Sequence, residues 1–449
     1  MAGNEKPLSD AAGQPQRLMT VPDGIALVIG MVVGVGIFKA PSIVAGAAGD
    51  TLSFILFWIA GGIASICGAL VYAELSGRFP EAGGEYRFLA RGISPGAAFV
   101  FAWARITVIQ TGAIASVGFV LGEYAQQVLP LGKAGASVYA ALAVIALTAL
   151  NLAGTPQSKT LQKLMSGLLI AALLAVAVVA MFAPAPGAAA PAPPAAGIGL
   201  AMIFVLYAYG GWNEAAYLGG EVRDEQRNMV RILVGGIVVI TAIYVLVNIG
   251  YVSALGLDGL RASKAIAADA MRAAVGGAAA MVVALIVCVA AASTMNAAIL
   301  TGARTSYAFG RDFPMFGVLG RWRASGSTPQ NALLLQGIIS LALVLAGSFT
   351  QDGFSAMVAY TAPVFWTFFL LCGVALFVLR ARHGAPTGFR APFFPLVPIV
   401  FCAAAGFMLY SSVDWVGFSA YGPKFGNAVL AGIVVMALGI PLYFIARKR

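Results

Sequence analysis

The sequence has few charged or chemically reactive side chains for its length. Among 449 residues there is one histidine, His383, and charged residues make up 10% of the chain. Soluble globular domains usually carry about 25% charged residues, so this composition excludes an ordinary soluble protein. His383 lies in a basic loop beside Arg380 and Arg382. A metal centre or a catalytic triad built on histidine is therefore excluded, and we expect no enzyme, no metal and no cofactor.

The four cysteines give no sign of a disulfide framework. All of them fall inside apolar segments, where cysteine behaves as a small hydrophobic residue. We therefore predict core positions for Cys67, Cys288, Cys372 and Cys402.

The chain contains many long apolar segments. Hydrophobic residues make up 60% of it, and the mean hydropathy is +0.91. A helix that spans a bilayer needs roughly 20 apolar residues. Twelve such segments are centred at about residues 30, 64, 112, 146, 173, 208, 243, 292, 339, 367, 403 and 436. The sequence predicts an all-α integral membrane protein with twelve transmembrane helices, surrounded by the lipid bilayer.

Positive charges are divided unevenly between the two sides of this predicted topology. Of the 27 Lys and Arg residues, 20 fall on the side of the N-terminus, and Lys39 and Arg105 lie inside spans. The five on the opposite side are Lys133, Arg261, Lys264, Arg272 and Lys424. By the positive-inside rule, this predicts a multi-pass protein of the plasma (inner) membrane with both termini in the cytoplasm. A nucleic-acid partner would require basic residues clustered on one folded domain, and the net charge of +10 is not arranged in that way.

Two of the predicted spans are interrupted. The first, residues 30–41, reads GMVVGVGIFKAP, and the second, residues 207–213, reads YAYGGWN. Glycine disfavours a helix by about 1 kcal/mol relative to alanine, and unwound backbone survives in a membrane only where protein or a water-filled cavity shelters it. Interrupted spans at matching positions of two halves are typical of an inverted repeat with a binding site between them. The alternative is that these glycines simply allow close helix packing.

This pattern also predicts the organisation of the whole chain. The predicted parts are a cytoplasmic N-terminal tail (1–19), a first repeat of five helices (20–183), a Pro/Ala-rich extracellular linker (184–197), a second repeat of five helices (198–380), a cytoplasmic loop (381–394), and two C-terminal helices with a short cytoplasmic C-terminus (395–449).

Five motifs, in order along the chain, resemble one known family. They are GVGIF at 34–38, YAEL with FPEAGGEY at 72–86, YAYGGWN with GEVRDEQRN at 207–228, STMNAAILTGAR with FGRDFP at 293–314, and FRAPFFPLVP at 389–398. Together they resemble the amino acid–polyamine–organocation superfamily, and within it the L-type and bacterial amino acid permease branch.

The resemblance implies a LeuT-like 5+5 inverted repeat and transport of an amino acid by alternating access. It places the substrate carboxylate on the N–H groups of Val35 and Gly36, and the amine on the carbonyls of Val32, Tyr207 and Gly210. The free N–H groups at a helix N-terminus suit a carboxylate on physical grounds as well. Asn213 either contacts substrate or caps the inner half-helix, and the ring of Tyr207 either closes over substrate as a lid or donates its hydroxyl to it.

Four further residues are candidates for coupling or gating. Lys39 either pairs with a carboxylate, tunes the charge of the site, or extends to the membrane surface, and Arg105 has Glu74 or Glu214 as candidate partners. Ser293 and Thr294 offer hydroxyls to a coupling sodium ion. Many family members carry a lysine in the fifth span where this chain has Leu169, which disfavours lysine-based proton coupling.

We therefore expect a secondary active transporter or exchanger of neutral amino acids. The alternatives are a carrier of cationic amino acids or polyamines, and a transceptor or subunit that does not itself transport. Coupling to a proton or to sodium stays open.

Overall fold

The computed structural model describes residues 19–79, 84–154, 159–184, 197–215, 222–322, 328–414 and 426–447. The α-helices, numbered along the chain, are α1 (Val21–Val32), α2 (Ala40–Ala47), α3 (Thr51–Arg78), α4 (Gly84–Gly92), α5 (Pro95–Ala104), α6 (Gln110–Val128), α7 (Gly135–Leu152), α8 (Lys159–Met181), α9 (Ile198–Ala208), α10 (Trp212–Ala215), α11 (Glu225–Ala262), α12 (Ile266–Ala274), α13 (Gly277–Asp312), α14 (Gln330–Ser348), α15 (Gly353–His383), α16 (Leu396–Asp414) and α17 (Gly426–Arg447).

Nine membrane-span candidates occur within these ranges. They are helical stretches long and apolar enough to cross a bilayer: Thr51–Arg78, Pro95–Val128, Gly135–Leu152, Arg227–Ala262, Gly277–Asp312, Gln330–Ser348, Gly353–His383, Leu396–Val413 and Asn427–Arg447. The other three predicted spans correspond to shorter apolar helices, Val21–Val32, Gly167–Met181 and Ile198–Ala208. This confirms an all-α, multi-pass membrane protein, whereas the twelve-helix repeat stays a prediction. The predicted tail and most of the Pro/Ala-rich linker lie outside the described residues.

The span formed by α5 and α6 lies at the centre of the bundle. In the most apolar 18-residue stretch of this span, 83% of the residues are buried inside the protein, whereas in the last span, Asn427–Arg447, the corresponding fraction is 17%. Between α5 and α6 the backbone forms a π-helical segment, Arg105–Ile109. Such π-helical segments within α-helices occur frequently at functional sites. They change the directions in which the neighbouring side chains point.

The first predicted break is present. Helix α1 ends at Val32, and Val33 and Gly34 are extended. A short 3-10 turn, Val35–Phe38, follows before α2 begins. Pro41 lies in the first turn of α2, where its missing N–H costs nothing and its fixed φ suits a helix start. The glycine-rich sequence therefore opens the helix, and the proline helps it to resume.

The second break is also present, and it packs against the first. Helix α9 ends at Ala208, and Gly211 has φ of +112°, which an L side chain rarely adopts. A Cβ at Gly211 would lie 2.6 Å from the carbonyl oxygen of Met31, and a Cβ at Gly36 would lie 3.0 Å from the Cα of Ala208. Helix α1 packs against α10, and α2 packs against α9. The two broken spans thus run in opposite directions, with their unwound segments in contact.

Candidate functional site

A cavity of about 420 Å³ opens beside the two breaks. Ligand pockets commonly have volumes of about 300–1,000 Å³, so this one has room for a small organic molecule. The first break, the π segment with the adjoining turns of α5 and α6, the second break, α13 and α15 all contribute to its wall. The polar residues and glycines that line it include Gly34, Glu85, Arg105, Gln110, Tyr207, Gly210, Asn213, Glu214, Ser293, Thr294, Thr301 and Thr361.

Most of the residues singled out from the sequence come together at this cavity. Six of them line it, namely Arg105, Tyr207, Gly210, Asn213, Ser293 and Thr294. Val32, Val35 and Gly36 lie in the adjoining break, where the two valine residues are 3% and 2% exposed. Lys39 lies elsewhere, as described below.

Backbone carbonyls at the breaks already have partners within the protein. The hydroxyl of Tyr244, on α11, lies 3.2 Å from the carbonyl oxygen of Val32 and 2.9 Å from that of Ala208. The carbonyl of Tyr207 accepts a hydrogen bond of 3.0 Å from the N–H of Gly210. Because a carbonyl oxygen has two lone pairs, the carbonyls of Val32 and Ala208 can each accept one further hydrogen bond. Tyr244 was not predicted, since no local pattern marks a tyrosine in the seventh predicted span.

The N–H groups of Val35 and Gly36 lie at the start of the 3-10 turn in the first break. Both residues begin the 3-10 turn, and the first N–H groups of a helical turn have no carbonyl partner within it. Gly34 comes immediately before them and lines the cavity. A Cβ at Gly34 would meet only the Val32 carbonyl oxygen, at 3.8 Å, so the space beside Gly34 is open.

The hydroxyl of Tyr207 is engaged by the protein. It lies 2.6 Å from Oγ of Ser116, which is on α6 and is 1% exposed. The Tyr207 ring also makes an edge-on contact with Phe354, with ring centroids 5.5 Å apart. The aromatic ring is therefore held against α6 and α15 at the wall of the cavity, and Ser116 is a contact that the sequence did not indicate.

A group of four polar residues lies where α4, the π segment and α10 meet. Nδ2 of Asn213 donates to Oε1 of Glu85 at 2.8 Å. Arg105 has one guanidinium nitrogen 3.0 Å from Oε1 of Glu214 and another 3.9 Å from Oε2 of Glu85. Of the two candidate partners of Arg105, Glu214 is therefore the one that forms an ion pair with it. Glu74 instead binds Arg380, with Nε at 2.8 Å, and accepts from the N–H of Ala391.

Glu85 is the least solvent-exposed carboxylate of this group. It is 3% exposed, and burial raises its pKa, although Arg105 and the Asn213 hydrogen bond act in the opposite direction. In the sequence it belongs to a charged stretch between two predicted spans, and in the structure it lies next to Arg105. Its place in the cavity wall was missed, because α4 is a short helix between spans whose docking is decided by tertiary contacts.

The two candidate cation-binding hydroxyls lie on the wall formed by α13. Oγ1 of Thr294 donates to the carbonyl of Ala290, one turn earlier in the helix, at 3.1 Å. Both Ser293 and Thr294 line the cavity. Within the described ranges, no group of three or more His, Cys, Asp or Glu side chains is arranged to hold a metal ion.

Lys39 forms a buried ion cluster away from the cavity. Its Nζ lies 2.8 Å from Oε1 of Glu123 and 3.7 Å from Oδ2 of Asp352. The cavity-lining part of the central span ends at Ala113, and Glu123 is ten residues further along the same helix. At 1.5 Å per residue, the cluster is about 15 Å from the cavity along this helix. Lys39 therefore pairs with a carboxylate, which was one of the alternatives considered for it. Its side chain is buried and does not extend into solvent.

Comparisons with known proteins agree with one another. A family model described as amino acid permease matches residues 21–440. The serine/threonine exchanger SteT of Bacillus subtilis (strain 168) is 26% identical over 438 residues, which is 95% of each chain. The b(0,+)-type amino acid transporter 1 of Mus musculus is 26% identical over 411 residues, 89% of this chain and 83% of the relative. The large neutral amino acids transporter small subunit 2 of Mus musculus is 26% identical over 437 residues, 93% of this chain and 79% of the relative.

Proposed function

The chain belongs to the amino acid permease family, and on that premise we propose that it is a secondary active transporter or exchanger of neutral amino acids. The family and the similar proteins are transporters and not enzymes. The observation that carries the proposal is the contact between two oppositely directed broken helices beside a cavity of about 420 Å³. A site of this kind, at the interface of two inverted repeats, is typical of secondary transporters.

In this proposal the backbone of the breaks recognises the two groups that all amino acids share. The N–H groups of Val35 and Gly36 bind the carboxylate, and the carbonyls of Val32, Tyr207 and Gly210 bind the amine. The carboxylate and the amine of the substrate are thus held by backbone groups and not by charged side chains of the protein. The rest of the cavity can then select the side chain of the substrate by its size and polarity. The open space at Gly34 supports the carboxylate position, because a substrate atom can approach the turn there.

We further propose that the twelve spans form a LeuT-like 5+5 repeat followed by two C-terminal helices. Both termini then lie in the cytoplasm and the protein resides in the plasma membrane. With this orientation, the Glu85–Arg105 side of the cavity is cytoplasmic and the Lys39–Glu123 pair is on the external side. The ion cluster joins α2 to α6 and α15, so alternating access requires these contacts to separate when the external side opens.

A second candidate is a carrier of cationic amino acids or polyamines. The specific observation in its favour is the charge of the cavity wall, where the two carboxylates Glu85 and Glu214 face the single guanidinium of Arg105. The excess negative charge would attract a second positive group on the substrate.

Counterflow into proteoliposomes tests these functions directly. Vesicles that contain the purified protein and one unlabelled amino acid should accumulate the same labelled amino acid from outside, and protein-free vesicles should not. Serine, threonine, leucine and alanine test the neutral class, whereas competition by arginine or putrescine at equal concentration tests the cationic one. Stronger competition by arginine than by every neutral amino acid would favour the second candidate, and no counterflow for any of the twenty amino acids or for putrescine would refute both.

A further inference from the structure

We propose that Glu85 is a proton-binding site and that the proton it binds is transported together with the amino acid. This inference rests on the proposed function, because it concerns what moves with the substrate. It assigns a second, inorganic ligand to the wall of the cavity, and it makes the protein a proton-coupled transporter.

Three features of the position of Glu85 suit this role. Its side chain is 4% exposed, so a charge on it is poorly hydrated. It nevertheless contributes to the wall of the cavity, through which a proton can arrive from solvent. It also accepts the 2.8 Å hydrogen bond from Asn213, the second residue of α10, directly after the second break. The site is thus reachable by a proton and linked to the segment that is expected to hold substrate.

The charges around Glu85 leave room for one proton. The groups that face it include Arg105 from the π segment, Glu214 and Asn213 from α10, the hydroxyl of Tyr72 from α3, and the thiol of Cys372 from α15. Among the described residues that line the cavity, the charged ones are Glu85, Glu214 and Arg105. These two carboxylates and one guanidinium carry a net charge of −1, and one added proton brings the three to neutrality. Burial of Glu85 favours its neutral form, because the pKa of a desolvated carboxyl rises.

Protonation changes what Glu85 does for its neighbours. As a carboxylate it accepts from Asn213 and attracts Arg105. When a proton from the solvent in the cavity binds one carboxylate oxygen, the group becomes a neutral acid that can also donate. Its attraction for Arg105 is then lost, and Arg105 is left to Glu214 alone, at 3.0 Å. The contact that ties α4 to the π segment therefore weakens, and the release of the proton to water on the other side of the membrane restores it.

Simultaneous measurement of proton and amino acid movement tests the proposal. Proteoliposomes contain a pH-sensitive dye, and potassium with valinomycin holds the membrane potential at zero. The substrate is the amino acid that gives the largest counterflow among the twenty. When it is added outside the vesicles, we expect acidification of the lumen in proportion to the amino acid taken up, close to one proton per molecule. Counterflow without any movement of protons in the wild-type protein would overturn the proton site and leave the proposed function intact. Failure of counterflow itself would refute the proposed function.

Two variants assign the proton to this side chain. In Glu85→Gln we expect the ratio of protons to amino acids to fall at least tenfold, whatever transport rate remains. We also expect the pH dependence of amino acid affinity between pH 5.5 and 8.5 to disappear. Asp258→Asn is the control, since it neutralises a carboxylate that also pairs with an arginine, Arg261, but does not line the cavity. It should retain the wild-type ratio. An unchanged ratio in Glu85→Gln would overturn the assignment, as would an equal fall of the ratio in Asp258→Asn.

A third variant keeps the assignment testable if Glu85→Gln does not fold. Glu85→Asp retains an ionisable group at the same place, and it should retain proton movement with an altered pH dependence. Loss of all coupled proton movement in a folded Glu85→Asp protein that still transports the amino acid would contradict the proposal, because an ionisable carboxyl group remains at this place. The same variant with a wild-type pH profile would overturn the proposal.

Discussion

Nζ of Lys39 lies 2.8 Å from Oε1 of Glu123, which places a salt bridge in a region where both side chains are largely shielded from solvent. The lysine immediately follows the 3-10 turn of the first break, and the glutamate is on the central helix α6. Asp352, at the N-cap of α15, lies 3.7 Å from the same nitrogen. A single lysine thus holds three elements together at a distance from the cavity.

Removal of this lysine should destabilise the protein strongly. Lys39→Met leaves the Glu123 carboxylate buried without its cation, and breaking a buried pair in this way costs about 3–5 kcal/mol. We expect a large fall in Tm, measured by thermal unfolding of the purified protein in detergent. Lys133→Met is the control, because this lysine is exposed in the loop before α7. Recovery of most of the loss in Lys39→Met/Glu123→Gln is expected, and a wild-type Tm for Lys39→Met would contradict the role of the pair.

The glycines of the two breaks should respond differently to the addition of one methyl group. Gly211→Ala forces a residue with a Cβ into φ of +112° and directs it to within 2.6 Å of the Met31 carbonyl oxygen. We expect loss of folded protein, measured by size-exclusion chromatography, at a cost of about 1–3 kcal/mol. In Gly34→Ala the methyl group enters open space, so the protein should fold and bind amino acid less tightly. Equal folded yields for Gly211→Ala and Gly34→Ala would contradict this difference.

The hydroxyl of Tyr244 should be required for the shape of the site. Tyr244→Phe leaves the carbonyls of Val32 and Ala208 without this donor, at a cost of about 1–2 kcal/mol. We expect roughly tenfold weaker amino acid binding, measured by isothermal titration calorimetry. Tyr251→Phe is a closely matched control, since Tyr251 is fully buried two turns further along α11 and its hydroxyl has no hydrogen-bond partner among the described residues. A similar loss of affinity in both variants would show that the hydroxyl of Tyr244 has no special role.

A double-mutant cycle should measure how Tyr207 is held. Tyr207→Phe and Ser116→Ala each remove one side of a 2.6 Å hydrogen bond, and each should weaken amino acid binding by about 1 kcal/mol. Because the two changes remove the same interaction, the double variant should lose no more than the worse single variant. Additive losses would instead indicate that the Tyr207 hydroxyl contacts the substrate directly and that Ser116 acts independently.

The sequence alone determined the class of the protein and the positions of its two breaks. Apolar segments of spanning length must be helical in a membrane, since every backbone polar group has to be satisfied within the segment. Glycine-rich interruptions in such segments are visible without any knowledge of the tertiary fold, so 30–41 and 207–213 could be identified directly. The structure has its helix ends and extended residues at those positions. The ordered motifs supplied the family, which the comparison over residues 21–440 confirms.

Only the tertiary structure decided which side chains meet. The partners of Lys39 are 84 and 313 residues away in the chain, and Tyr244 is 212 residues from Val32. Local periodicity carries no information about such pairings, because they depend on how helices dock and not on how each one forms. Glu85 is the clearest example: its sequence predicts a charged loop between spans, whereas its docking against Arg105 and Asn213 buries it in the wall of the cavity. A carboxyl group near a membrane surface was thus predictable, and its removal from water was not.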